Sequence, residues 1–115
     1  MENALIAILE SFKYPVIRQG SLPASKAYDP TFITWWNTAE DGMSFYDNEA
    51  EGLVVYEYDV NVYSESPNMA YSLLYDIRAA LKSAGWIILS RGYDVASDEP
   101  THTGRGMHVA FLATE

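Results

Sequence analysis

The sequence predicts an α+β fold: an N-terminal helix and one long central helix packed on one face of a mostly antiparallel or mixed β-sheet. Three observations carry that expectation. Leu53 to Tyr63 alternates in period two, the pattern of a half-buried strand, with Val54, Tyr56, Tyr58, Val60 and Val62 on one face and Glu57, Asp59 and Asn61 on the other. Ser66-Pro67 then offers an N-cap and a first-turn proline, after which Leu73, Leu74, Ile77, Ala80, Leu81 and Ala84 recur at helical spacing up to Gly85 in the C′ position. Finally, helical and strand patterns follow one another as α, strands, α, strands, with no internal repeat and no composition break.

Met1 to Phe12 reads as the first helix, with Leu5, Ile8, Leu9 and Phe12 on one face and Glu2 near the positive end of the dipole. Tyr14 to Arg18 is extended, and Pro15 suits a strand start or an edge. Gly20 to Pro30, with its prolines and small residues, is expected to be a loop. Thr31 to Thr38 is rich in β-branched and aromatic residues and predicts a strand. Ala39 to Gly42 carries an Asp-Gly turn signal, Met43 to Asn48 a short strand, and Asp47 to Gly52 an acidic turn into the central strand. Beyond Gly85, Trp86 to Leu89 predicts a short strand, Gly92 to Gly106 a long polar loop, and Met107 to Thr114 the last strand.

The 115 residues suffice for one domain, spanning 1–115, with a core of its own. The absence of cysteine excludes disulfides and thiolate metal sites. Sixteen acidic and seven basic residues give a formal charge of −9. That balance argues against specific nucleic-acid binding, which needs cations to neutralise phosphates, and against anionic membrane surfaces. No apolar run approaches the about 20 residues that span a bilayer, and the N-terminus lacks the pattern of a secretory signal. Nine tyrosines exceed what one small core can take up, so an interface is expected.

Catalytic patterns are thin. His102 and His108, with Asp98 and Glu99 nearby, give a metal reading, but the six-residue spacing fits no ligand pattern and a histidine on the sheet surface is the plainer reading of His108. No Gly-x-Ser-x-Gly elbow is present, and Gly104-Arg105-Gly106 reads as a β-turn rather than a phosphate cradle. No cofactor is expected. The helix says more: Tyr71, Tyr75, Arg78 and Lys82 form a second stripe off the apolar one. Its plain reading is side chains lying beside the core, with cations suited to the helix C-terminus. Its functional reading is a tyrosine–arginine contact surface that needs an acidic partner, most economically a second copy. The strand face of Glu57, Asp59 and Asn61 is the complementary candidate.

The order of several segments resembles the tail terminator (tail completion) proteins of long-tailed bacteriophages. The segments are Phe32-Ile33-Thr34-Trp35-Trp36-Asn37, Phe45-Tyr46-Asp47-Asn48, the strand ending Val60-Asn61-Val62-Tyr63-Ser64, the capped helix, Gly85-Trp86-Ile87-Ile88, and Gly92 to Gly106. The resemblance covers Phe32 to the C-terminus and involves no catalytic residue. It implies a structural virion protein, assembled in the host bacterial cytoplasm, that forms a ring, a hexamer, at the head-proximal end of the tail tube. The ring would stop tube polymerisation and present the head-docking surface, with the tail tube protein and a head–tail connector protein as partners. In that setting Asp94, Asp98, Glu99, His102 and Arg105 belong to an assembly loop expected to order on docking. A ring needs a head-to-tail contact between two different surfaces of one subunit, which the helix stripe and the acidic strand face could supply. An acidic channel would also repel DNA and let it slide. Two other functions compete: a non-enzymatic small-molecule or regulatory binding domain with Trp35, Trp36 and Trp86 as an aromatic pocket, and a hydrolase using His102 or His108 with Asp98.

Overall fold

The computed structural model of the chain describes residues 2–19, 29–43, 53–97 and 100–114. The elements are α1 (Glu2–Glu10), β1 (Val16–Arg18), β2 (Thr31–Met43), β3 (Leu53–Ser64), α2 (Pro67–Ser83), β4 (Ile87–Val95) and β5 (Thr103–Thr114). They form a five-stranded sheet in the order β1-β2-β3-β5-β4, in which only β1 and β2 run parallel. Both helices pack on one face, as the sequence predicts. Among the described residues no helix is long and apolar enough to cross a membrane.

Strand β3 is the axis. It pairs with β2 on one side and β5 on the other along its whole length. Its even-numbered side chains enter the core: Tyr58, Val60 and Val62 are fully buried with Ile33, Trp35, Met107 and Val109 from the flanking strands. Tyr58 sits edge-on between Trp35 and Trp86, with ring centroids 6.1 and 5.9 Å away, and Trp86 meets Phe111 at 5.1 Å. Leu5 and Leu9 of α1 and Ala70, Leu73, Leu74, Ile77 and Leu81 of α2 close this layer. Ala84, counted in the apolar stripe by its spacing, is exposed at the helix end.

The link between β3 and α2 follows from three serine and threonine hydroxyls. Thr31 and Ser64 share a hydrogen bond across the ladder (3.0 Å), and Ser64 Oγ accepts the Ser66 amide (3.1 Å). Ser66 in turn caps α2 by accepting the Met69 amide, with Pro67 in the first turn. At the other end Gly85, at φ 97°, completes a Schellman closure: its own amide bonds to Lys82 O and that of Trp86 to Leu81 O. Trp86 is thereby delivered straight into the core.

Two expectations are corrected. The Asp-Gly turn at 39–42 does not form, because β2 continues to Met43 through a bulge between Asn37 and Ala39. The Asn37 amide makes the bulge affordable by donating to Ala39 O (3.2 Å) and Glu57 O (3.0 Å). Nor is Gly92–Gly106 a loop. Tyr93, Asp94 and Val95 pair with Gly106, Arg105 and Gly104, leaving only residues 96–102 as the connection. Gly104 and Gly106 are strand residues because Tyr63 and Asn61 lie over them: a Cβ on Gly104 would stand 2.6 Å from Val95 O, and one on Gly106 would collide with Asn61 Oδ1. The expected short strand beyond Met43 and the acidic turn at 47–52 lie outside the described residues.

Leu74→Ala and Ile77→Ala should each cost about 2–5 kcal/mol, whereas Ser72→Ala, on the exposed side of α2, should cost little. Urea denaturation reads the difference, and equal losses at Ser72 and Leu74 would refute the helix phase. The Tyr58 hydroxyl is buried without a hydrogen-bond partner, and desolvation first, then the charges of Glu2 and Glu40, push its pKa up to about 12. Removing that group deletes an unsatisfied dipole, so Tyr58→Phe should leave stability unchanged or raised. A lower urea midpoint for Tyr58→Phe would show that the hydroxyl has a partner.

Candidate functional site

Two surfaces carry unusual chemistry, one on each side of the sheet. The first lies where the C-terminal half of α2 meets the start of β4. Gly85 turns the chain so that Trp86 is buried and Ile87 and Ile88 run back beside the helix, leaving a groove of about 530 Å³ lined by Tyr75, Arg78, Ala79, Lys82, Trp86, Ile87, Ile88 and Arg91. Three of the chain's seven basic residues therefore share one concavity in a protein of charge −9. Tyr75 is 60% exposed, and Tyr71, one turn earlier, 50%. The stripe of Tyr71, Tyr75, Arg78 and Lys82 thus exists on the outer side of α2, but its cations differ in freedom. Arg78 donates to the Arg91 carbonyl on β4 (2.8 Å) and lies over the Tyr75 ring at 5.0 Å, so it ties helix to strand. Lys82 is exposed in the last helical turn.

Arg105 sits beside this surface. Its guanidinium lies 4.5 Å over the Tyr71 ring, bonds to Asp94 at 3.0 Å and occupies the space that a Cβ on Gly92 would need. With a side chain only 18% exposed, it braces α2 against β4 and β5. The expected assembly loop is accordingly dispersed. Asp94 and Arg105 form a cross-strand ion pair within the β4–β5 ladder. His102 is buried, with Nε2 donating to Asp29 O (2.8 Å), Nδ1 beside the Thr101 hydroxyl (3.0 Å) and its ring 5.8 Å from Phe32. Asp98 and Glu99 lie outside the described residues.

The second surface is the sheet face opposite the helices. Here Asp59 gathers three donors from three strands: Trp36 Nε1 (3.0 Å), His108 Nδ1 (2.7 Å) and the Tyr93 hydroxyl (3.2 Å). His108 Nε2 reaches Glu57 Oε1 at 2.8 Å. Tyr93 can reach Asp59 only because it crosses bare Gly106, where a Cβ would stand 3.1 Å from its ring. Both imidazole nitrogens face carboxylates, an arrangement that favours the doubly protonated imidazolium, in which each nitrogen donates. Burial alone would lower its pKa; the hydrogen bonds and charges of Asp59 and Glu57 outweigh that and raise it. Burial first, then Asp59, pushes the Tyr93 phenol up to about 12.

This arrangement changes the reading of several residues. Glu57 and Asp59 are already committed within the chain, and Asn61 is buried against Gly106, so the expected acidic contact face is largely spent. The carboxylates bind opposite edges of the imidazole and do not converge on one point, and among the described residues no group of three or more His, Asp or Glu side chains could hold a metal ion. Trp35 and Trp86 are core residues on the helix side, while Trp36 is 47% exposed on the other face, so the three tryptophans form no common pocket. Trp86 still contributes one wall of the α2–β4 groove.

Sequence reasoning missed the His108 network and the contributions of Trp86 and Arg91 to the groove. The network depends on the β3–β5 register, which places Asp59 opposite His108, and the groove on how β4 returns beside α2. Neither protein-family models nor curated proteins match this chain.

Because the folded pKa of His108 is raised, the stability it confers is complete below its unfolded value of about 6.5 and is lost as pH rises through the folded value. Wild-type protein should lose on the order of 1–3 kcal/mol between pH 6 and alkaline pH, the scale of a hydrogen bond to a charged group, and His108→Gln should lack that slope. Urea midpoints measured against pH, with imidazole resonances followed by NMR, would show this. Parallel slopes in the two proteins would rule the imidazolium out.

Proposed function

We propose that the chain is a non-enzymatic binding and assembly module whose working surface is the α2–β4 groove, and that its occupant is an acidic segment of another protein chain. In the setting the sequence resembles, that chain is the next subunit of a ring at the head-proximal end of a phage tail tube. The observation that carries this reading is the gathering of Arg78, Lys82 and Arg91 with the exposed Tyr75 in one concavity of a protein of net charge −9. Tyrosine and arginine around a well-packed centre are what interface hot spots use, and a basic patch on an acidic body selects acidic partners. A contact that seats a different surface of the next copy in the groove is head-to-tail in kind and can close into a ring. The tail tube protein and a head–tail connector protein are then the further partners, and the virion the place of work.

The groove's shape favours a second reading. Its volume is that of small-molecule sites, with an indole wall, a phenol and three cations, so it would suit an anionic aromatic ligand of a regulatory binding domain.

Sedimentation velocity separates the two. A ring subunit of 12.9 kDa should appear as one closed multiple of that mass, alone or with assembled tail tubes, and Lys82→Glu should return it to monomer with its circular dichroism unchanged. Lys82 is the better test residue than Arg78, whose bond to Arg91 O is structural. A protein that stays monomeric with and without tubes, yet binds anilinonaphthalene sulfonate at one site that Lys82→Glu abolishes, would overturn the ring in favour of the ligand.

A further inference from the structure

The groove needs an acidic occupant, and the acids of β3 are engaged by His108, Trp36 and Tyr93. We infer that the occupant is the segment joining β2 to β3 in a second copy of this chain, Ser44 to Gly52. The inference rests on the binding reading of the groove given above and names its partner.

Composition singles the segment out. Within nine residues it holds Asp47, Glu49 and Glu51, three of the chain's sixteen acids, together with Phe45 and Tyr46 and no lysine or arginine. Acids would meet Arg78, Lys82 and Arg91, while an aromatic ring would find Tyr75 and Ile88 along the same groove. The strands supply the reach. β2 and β3 stay paired as far as Met43 and Leu53, and β5 follows β3 to the same end. The helical layer stops short of it: Tyr58, Val60 and Val62 are sealed, whereas Val54 and Tyr56 are only half-covered. The paired strand ends at Met43 and Leu53 therefore stand beyond the helical layer of their own subunit. The two surfaces differ in charge, so each copy offers one donor and one acceptor, as a head-to-tail contact requires.

The chain contains no cysteine, which makes disulfide trapping clean. In the double variant Ala79→Cys, Glu49→Cys, mild oxidation should give a ladder of linked subunits. Ala79 is exposed and lines the groove. Adding Lys82→Glu should cut the ladder about tenfold or more, and adding Asp47→Lys and Glu51→Lys to that should restore it. The control pair Asn3→Cys, Glu49→Cys places one thiol on the exposed face of α1 and should give no ladder. Arg91→Cys with Glu51→Cys repeats the test in case the first pair fails to fold. A single product of monomer size, a yield no greater than the control, or a ladder indifferent to Lys82→Glu would overturn the inference. Sedimentation of the cysteine-free protein keeps the two ideas apart: a ring without a trapped ladder means the groove reading stands and this occupant is wrong.

Discussion

Everything in this molecule depends on the two-sided use of β3. A strand paired on both edges has no backbone freedom left, so its side chains alone decide what each face of the sheet becomes. Tyr58, Val60 and Val62 bind the helices to the sheet, and α2 can lie over them only because Ser64 and Ser66 turn the chain within three residues of the strand end. Asp59 and Glu57, one residue out of phase, face the other way and collect the polar side chains of β2, β4 and β5. A slip of one residue in register would bury the acids under α2 and expose the core, which makes this register the most strongly specified feature of the fold.

Two cations reconcile that scheme with an acidic sequence. On the open face His108 lies between two carboxylates that would otherwise repel each other on adjacent same-face positions. On the helix face Arg105 is held by Tyr71 and Asp94 in the space left by Gly92. In each case a glycine on the neighbouring strand position makes room: Gly106 for Tyr93, Gly92 for Arg105. The glycines of β4 and β5 are thus packing residues, set by what lies over them.

That point explains what could and could not be read from the sequence. The unit from Leu53 through Ser66-Pro67 to Gly85 was fully legible, because period two, capping chemistry and a left-handed glycine are local signals. So was α1, whose Leu5 and Leu9 are buried as the spacing requires. The extension of β2 through Asp41-Gly42 was hidden, since a bulge stitched by Asn37 requires knowing that Glu57 stands opposite. The β4–β5 ladder was hidden for the same reason: glycine looks like a turn until the ring above it is known. At the site, the stripe of Tyr71, Tyr75, Arg78 and Lys82 followed from helical spacing. Its division into a bracing Arg78 and an exposed Lys82 did not, because that depends on Arg91 O across the groove. The acidic face was located correctly on the strand, and its commitment to His108 was invisible without the β3–β5 pairing.

The separation of charge across the molecule bears on how copies of it could associate at all. At a net charge of −9, two chains repel at long range. Salt screens that repulsion beyond about 8 Å at physiological ionic strength, while groups brought within a few ångströms in a partly closed groove are screened much less. Added salt should then weaken the general repulsion more than a local contact between Lys82, Arg91 and an acidic segment. In the association proposed above, an acidic body with a basic groove would reject random encounters and accept one orientation. Such a device would draw its specificity from placing a few of the chain's scarce cations where a helix end and a returning strand already leave a concavity.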